Sequence, residues 1–214
     1  SNRVLSSNEL GTSSIIPLPN IASCPAASYN VEAERRPLII SVGAMDYKPN
    51  FEGVDRFLKD IWPAVHAKYP DLEYAIIGKN APKEYTERWA KIPNVTQMGF
   101  VENLEKMYEE CLCSVVPVYE GGGTCIKTLE SLSYSRVCLA TPFGARGHES
   151  AMGNGNIGLF SYTSSEDFLK LLEYEVMNES HRSRNEQLGK VYIENKYSYY
   201  TVVDIIRNSI QGIL

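Results

Sequence analysis

From residue 37 onward the apolar positions fall into two alternating kinds of run. Leu38-Ile39-Ile40-Ser41-Val42 is almost continuously apolar and closes on Gly43-Ala44, the pattern of a strand buried on both faces. After a polar loop, Phe51, Val54, Phe57, Leu58, Ile61 and Val65 recur at helical spacing and predict one helix over 51–68. The form then repeats: strand 74–78, helix 82–91, strand 95–99, helix 104–112, strand 113–118, helix 124–134 and strand 137–141, ended by Pro142. A short apolar group at 157–160, helices over 165–177 and 181–196, and an amphipathic segment at 199–214 complete the chain. Short apolar strands alternating with helices mean βαβ units. The expected fold is α/β, a Rossmann-like doubly wound parallel sheet with helices on both faces.

The first 36 residues differ. Scattered Ser, Asn, Pro and Ala, then a charged run at 32–36, predict a linker at 1–36 leading into a domain at 37–196, with a C-terminal amphipathic helix at 197–214. At 214 residues the chain holds one domain plus appendages. A net charge of -5 argues against a nucleic-acid partner, which needs a basic face. No apolar stretch reaches the roughly 20 residues of a membrane span. The five cysteines (24, 111, 113, 125 and 138) have no metal-ligand spacing, so reduced thiols acting as small hydrophobes in a cytoplasmic chain are expected, with no metal site.

Candidate chemistry gathers in the loops that follow strands, at 43–50, 78–81, 99–101, 120–123 and 141–149, because ligands of such sheets bind beyond the carboxyl ends of the strands. The most informative is Tyr119-Glu120-Gly121-Gly122-Gly123-Thr124-Cys125-Ile126-Lys127-Thr128-Leu129-Glu130. Its glycines let backbone approach a ligand, and a helix start offers unpaired N–H groups and a positive dipole end. Spacing puts Ile126, Leu129 and Leu132 on the sheet-facing side of this helix and Lys127, Glu130 and Tyr134 on another. As a solvated pair, Lys127 and Glu130 would contribute only about 0.2–0.5 kcal/mol. Beside a triple-glycine turn, the carboxylate suits sugar hydroxyls and the lysine suits a diphosphate.

Several segments together carry a resemblance: 41–50 (Ser-Val-Gly-Ala-Met-Asp-Tyr-Lys-Pro-Asn), 75–78, 95–101, 115–118 followed by the glycine turn and Lys127-Thr128-Leu129-Glu130, and Ala140-Thr141-Pro142-Phe143-Gly144-Ala145-Arg146-Gly147. In this order they resemble the C-terminal, donor-binding domain of a GT-B-fold glycosyltransferase, of the large retaining family called group 1 or family 4. The resemblance implies a nucleotide-diphosphate sugar as partner and substrate, with no cofactor and no metal. Glu130 would bind the ribose hydroxyls. Phe100 and Val101 would hold the base. Gly121, Gly122, Gly123 and Thr124 would approach the diphosphate and sugar, with Lys127 supplying charge. The loop from Gly43 to Lys48 would lie on the diphosphate's other side, and Glu120, Arg146 and His148 are further candidates for ligand contact.

Three positions depart from the family pattern: Gly122 stands where a glutamate is usual, Ala44 where an arginine is frequent, and Lys48 is one place out of register. A GT-B enzyme also needs an N-terminal domain that 36 residues cannot form. The chain is therefore expected to be one half of a larger enzyme, inactive alone, with exposed apolar surface at 197–214 and any peripheral membrane association coming through the missing domain. Alternatives are a free-standing nucleotide or nucleotide-sugar binding module and half of a sugar-nucleotide epimerase of the same fold. A dinucleotide oxidoreductase is disfavoured, since no Gly-x-Gly-x-x-Gly follows the first strand.

Overall fold

The structure is a computed structural model that describes residues 18–22, 34–154 and 157–211. Most of the expected linker, 1–36, lies outside the described residues.

Six strands form one parallel sheet: β1 (Leu38–Val42), β2 (Glu73–Ile77), β3 (Val95–Gly99), β4 (Cys113–Val116), β5 (Val137–Ala140) and β6 (Leu159–Ser161). Their order is β3-β2-β1-β4-β5-β6. The chain winds outward from β1 to β3, then returns to the opposite side of β1, so the switch in direction falls between β1 and β4. There the loops leaving the two strands diverge and leave a crevice.

Both sheet faces are covered, which explains the unbroken apolar runs. Ile39, Tyr74, Ile76, Val115 and Leu139 point to one face, against Phe57, Trp62, Trp89 and Phe168. Their neighbours point the other way: Leu38, Ile40, Ala75 and Ile77 pack on Met107 and Tyr108, while Val116, Cys138 and Ala140 pack on Leu129, Leu132 and Ile193. Cys111, Cys113, Cys125 and Cys138 are buried free thiols within these layers. The first face is covered by α1 (Lys48–Asp60), α2 (Trp62–Lys68), α3 (Lys83–Trp89) and α7 (Ser165–Leu171), and the second by α4 (Leu104–Glu110), α5 (Ile126–Ser133) and α8 (Glu179–Lys196).

The structure corrects three expectations. The single helix over 51–68 is two, α1 and α2, broken at Ile61. Pro63 has no N–H to give the carbonyl of Lys59, and its ring would collide with it. The helix over 165–177 regularises only to Leu171 and finishes as a π-helical turn, Leu172–Met177. A short helix, α6 (Glu149–Asn154), stands where the sequence reads as loop.

Two charged clusters tie neighbouring helices together, one on each face of the sheet. Asp55 on α1 accepts from Arg88 (2.8 and 2.6 Å) and from the indole of Trp89 (3.0 Å), and pairs with Lys59. Burial alone would raise its carboxyl, but the bonds from Lys59, Arg88 and Trp89 outweigh it and hold the group below its ordinary 3.8. That stability is present above 3.8 and is lost as pH falls through the lower folded-state value. Asp55→Ala, which leaves a buried indole N–H unpaired, is expected to cost about 2–3 kcal/mol at pH 7. Urea unfolding should show the deficit shrinking as the pH falls from 3.8 through the folded-state value. The second cluster centres on Arg136, fully buried between α5 and β5. It donates to the carbonyls of Tyr108 and Ser135 and pairs with Glu186 of α8 at 3.4 Å, and Glu186 also meets Arg35 at 3.3 Å.

The last helix, α9 (Tyr199–Gln211), buries Val202 but leaves Tyr199, Tyr200, Ile206 and Ile210 exposed. Apolar surface does lie exposed at this end. Among the described residues no helix is long and apolar enough to cross a membrane.

Candidate functional site

The crevice is built where β1 ends. Gly43 follows the strand with its N–H on the carbonyl of Ile77 (3.0 Å), and Gly78, at φ 150°, turns so close that a side chain there would strike the carbonyl of Gly43. From the other side of the switch, Lys127 of α5 lays its Cε within 2.5 Å of where a Gly43 Cβ would stand. Any larger residue at 43 would displace that lysine. Asn50, in the first turn of α1, is buried below, and its Nδ2 donates 2.7 Å to the carbonyl of Ala44, holding the β1 loop.

The loop after β4 is shaped by its glycines and by an arginine from the next loop. Gly121 and Gly123 take positive φ (129° and 70°). Arg146 stacks on Phe143 at 3.8 Å and donates to the carbonyls of Phe143 (2.7 Å), Gly122 (3.3 Å) and Gly123. In a trans peptide the N–H points opposite the carbonyl, so these contacts turn the N–H groups of Gly123 and Thr124 away from Arg146. Arg146→Ala is expected to free the loop, read as at least tenfold faster amide hydrogen exchange at 121–124 with the melting temperature nearly unchanged. Thr128, whose Oγ1 donates to Gly144 at 2.8 Å, fixes α5 to the same neighbouring loop.

Two cavities meet at this junction. The larger, of about 390 Å³, is mainly apolar and runs over the ends of β1, β2 and β3; Val42, Gly43, Ile77, Gly99, Phe100, Val101 and Leu104 line it, with Asp46, Lys79 and Asn80 at the rim. Phe100 is 64% exposed, with the Lys79 ammonium 4.1 Å from its ring centre. The smaller, of about 250 Å³, is the more polar of the two: Tyr47, Asn50, Glu120, Gly121, Gly122, Thr124, Lys127 and Arg146 line it together with Val118, Cys125 and Ile126. Gly43 lines the first, Lys127 the second, and their contact joins them.

Glu130, one turn beyond Lys127, lines neither cavity. It accepts a long hydrogen bond (3.5 Å) from Tyr108, whose ring stacks on Tyr134 at 4.4 Å. Burial raises its carboxyl above the ordinary 4.5, against the opposing influences of Tyr108 and Lys127. Lys48 is placed elsewhere: it opens α1, is exposed and reaches Glu52 at 3.7 Å. A Cβ on Gly122 would meet nothing within 4 Å, so the position where the family usually has glutamate faces open space.

One expectation fails here, and one lesser candidate turns away from the site. Ile126 does not face the sheet. It is 62% exposed at the mouth of the polar cavity, because α5 starts beyond the strand ends. Its place is taken by small hydroxyl residues, Thr128 and Ser131, the latter bonded to Ser114 of β4. His148 lines neither of the two cavities. It is 1% exposed, bonds Tyr192 at 2.9 Å and packs edge-on against Tyr192 and Tyr197, and burial lowers its pKa. Tyr47, Asn50 and Lys79 fall within the candidate loops 43–50 and 78–81, but nothing in the sequence marks them individually as site residues.

The sequence profile of the glycosyl transferases of group 1 matches residues 36–173. The chain belongs to this family. No curated protein matches it by sequence. Its fold is similar to that of TarM (TM-score 0.72, 17% identity), covering 89% of this chain and 38% of TarM. It is also similar to the C-terminal domain of the group 1 protein LpcC from Francisella tularensis (TM-score 0.60, 20% identity), covering 82% of this chain and 96% of that domain. The pneumococcal O-GlcNAc transferase GtfA, solved with UDP and GlcNAc, matches at TM-score 0.62 and 16% identity over 92% of this chain and 40% of its own. The glycosyltransferase chain described here thus spans about two fifths of TarM and GtfA. A GT-B half, Rossmann-like with parallel strands, is what the motif order predicts.

Proposed function

We propose that this chain is the donor-binding domain of a retaining glycosyltransferase that takes a nucleotide-diphosphate sugar and passes its sugar to an acceptor hydroxyl. The observation that carries the reading is the Gly43–Lys127 contact, which joins an apolar slot to a polar one across the β1/β4 switch. A base needs a flat apolar slot edged by backbone groups. A diphosphate needs a cation and backbone N–H groups, and a sugar needs mixed donors and acceptors. The two cavities supply these in sequence.

In this reading Phe100 and Val101 hold the base and Glu130 accepts from the ribose hydroxyls. Lys127 and the start of α5 stabilise charge on the leaving diphosphate, fixed in place before the bond breaks. Gly121, Gly122, Gly123 and Thr124, held by Arg146, form the wall at the sugar, with Glu120 beside them. Lys48, at the first position of α1 and paired with Glu52, lines neither cavity and is given no role in this reading. The acceptor and a further domain belong to the rest of the enzyme, and the exposed apolar residues of α9 suit contact with that domain. Any membrane association would come through it, and a cytoplasmic location accords with a nucleotide-sugar substrate. The open space at Gly122 favours one second reading, a binding module whose sugar end lacks the catalytic groups.

Calorimetry with UDP-, GDP- and ADP-glucose on the 214-residue chain tests the reading. One nucleotide class should bind. Heat from none of them would sink the proposal.

A further inference from the structure

One buried polar atom in this crevice has no use in the free chain. Asn50 is 5% exposed and lines the polar cavity, and its Oδ1 has no hydrogen-bond partner. The orientation of the amide is set by its surroundings: Nδ2 faces the carbonyl of Ala44 at 2.7 Å, and the reverse orientation would oppose two acceptors. What Asn50 offers the cavity is therefore an acceptor. A buried acceptor without a partner is uncommon, because its desolvation is uncompensated.

The chemistry of the site narrows what that acceptor meets. The oxygens of an ionised diphosphate accept hydrogen bonds and cannot donate. A base in the apolar slot lies on the far side of Gly43. The group that reaches the polar cavity with a proton to give is a hydroxyl of the transferred sugar. We infer that Asn50 reads one hydroxyl of the donor sugar through its side-chain oxygen, and so contributes to the choice of sugar as well as holding the β1 loop. This rests on the donor-binding reading above.

Two nearby groups offer competing accounts. Lys127 lies close, with its Cε and the Asn50 Nδ2 both beside Gly43, at 2.5 and 3.1 Å from the Cβ position. If Asn50 acted by holding Lys127 or the loop, its loss would weaken nucleoside diphosphate and its sugar conjugate alike. If a water satisfied the oxygen, its loss would change neither.

The test compares Asn50→Ala with the unaltered chain, using the nucleoside diphosphate, its glucose conjugate and the set of monodeoxyglucose conjugates. The expected result is a fall of about five- to tenfold in the ratio of conjugate to diphosphate affinity, the size of one neutral hydrogen bond. One deoxy conjugate should show a similar loss with the unaltered chain, and the variant should bind that conjugate and its parent equally. An unchanged ratio, or a hydroxyl dependence identical in the two proteins, overturns the assignment to Asn50 while leaving donor binding intact. Failure of the unaltered chain to bind any conjugate overturns the donor reading itself and takes this assignment with it.

Discussion

Replacing Arg136 by methionine is expected to destabilise the domain by about 3–5 kcal/mol, the usual consequence of removing one partner from a buried ion pair. For a domain of this size that is a fall on the order of 10 °C in melting temperature. The side chain is fully buried, and the carbonyls of Tyr108 and Ser135 lose their donor together with the Glu186 partner. Burial already raises the Glu186 carboxyl above 4.5, against the pull of Arg136 and Arg35. Losing Arg136 raises it further, so the folded variant holds its proton to higher pH than the unfolded chain does. The sign follows: the penalty relative to the unaltered protein is largest where Glu186 would be ionised and shrinks as pH falls toward 4.5. Thermal melts at pH 7 and pH 5 check both magnitude and direction. Arg136→Lys keeps a charge without the planar fork and should fall between the two.

The second large effect concerns binding. Glu130→Ala is expected to weaken nucleotide affinity by roughly tenfold to a hundredfold, the range for hydrogen bonds to a charged acceptor. The loss should be equal for the nucleoside diphosphate and its sugar conjugate, because the ribose is common to both, and smaller for the 2′-deoxy nucleotide. Since burial raises the Glu130 carboxyl, affinity in the unaltered chain should begin to fall, on acidification, above the ordinary glutamate value of 4.5. Calorimetry across that range measures it, and unchanged affinity in Glu130→Ala would remove the residue from the site.

Much of the architecture was open to reading because the sheet is buried on both faces. The inner strands β1, β2, β4 and β5 are apolar runs whose alternate residues serve opposite layers, so their period is plain. The edge strand β3, Val95-Thr96-Gln97-Met98-Gly99, is only half-buried and is marked mainly by its place between two helices. The errors are local and have physical causes. Pro63 is a plain breaker that the strong apolar spacing of 51–68 outweighs. Ile126 follows the helical period but stands beyond the sheet's edge, where spacing carries no information about depth. The small hydroxyl residues that replace it, Thr128 and Ser131, read as polar until their partners Gly144 and Ser114 are seen.

The candidate site divides the same way. Backbone features, the glycines and the helix start, are visible in one dimension. Contacts between loops are not. Arg146 meets Gly122 and Gly123 across 24 and 23 positions of chain, and His148, two residues from Arg146, turns instead into the aromatic packing of α8. Asn50 is hidden because its meaning lies in an unpaired atom, which only a packed structure reveals.

The central claim is that a nucleotide-sugar donor lies along the C-terminal edge of the sheet, across the β1/β4 switch. Backbone amide chemical-shift mapping of the chain with UDP-, GDP- and ADP-glucose tests it most directly. The account predicts one donor whose saturating shifts cluster at Gly43, Gly99 to Val101, Gly121 to Thr124 and Lys127. Saturable shifts confined to α8, α9 or the outer strand β6, with these amides unmoved, would contradict it.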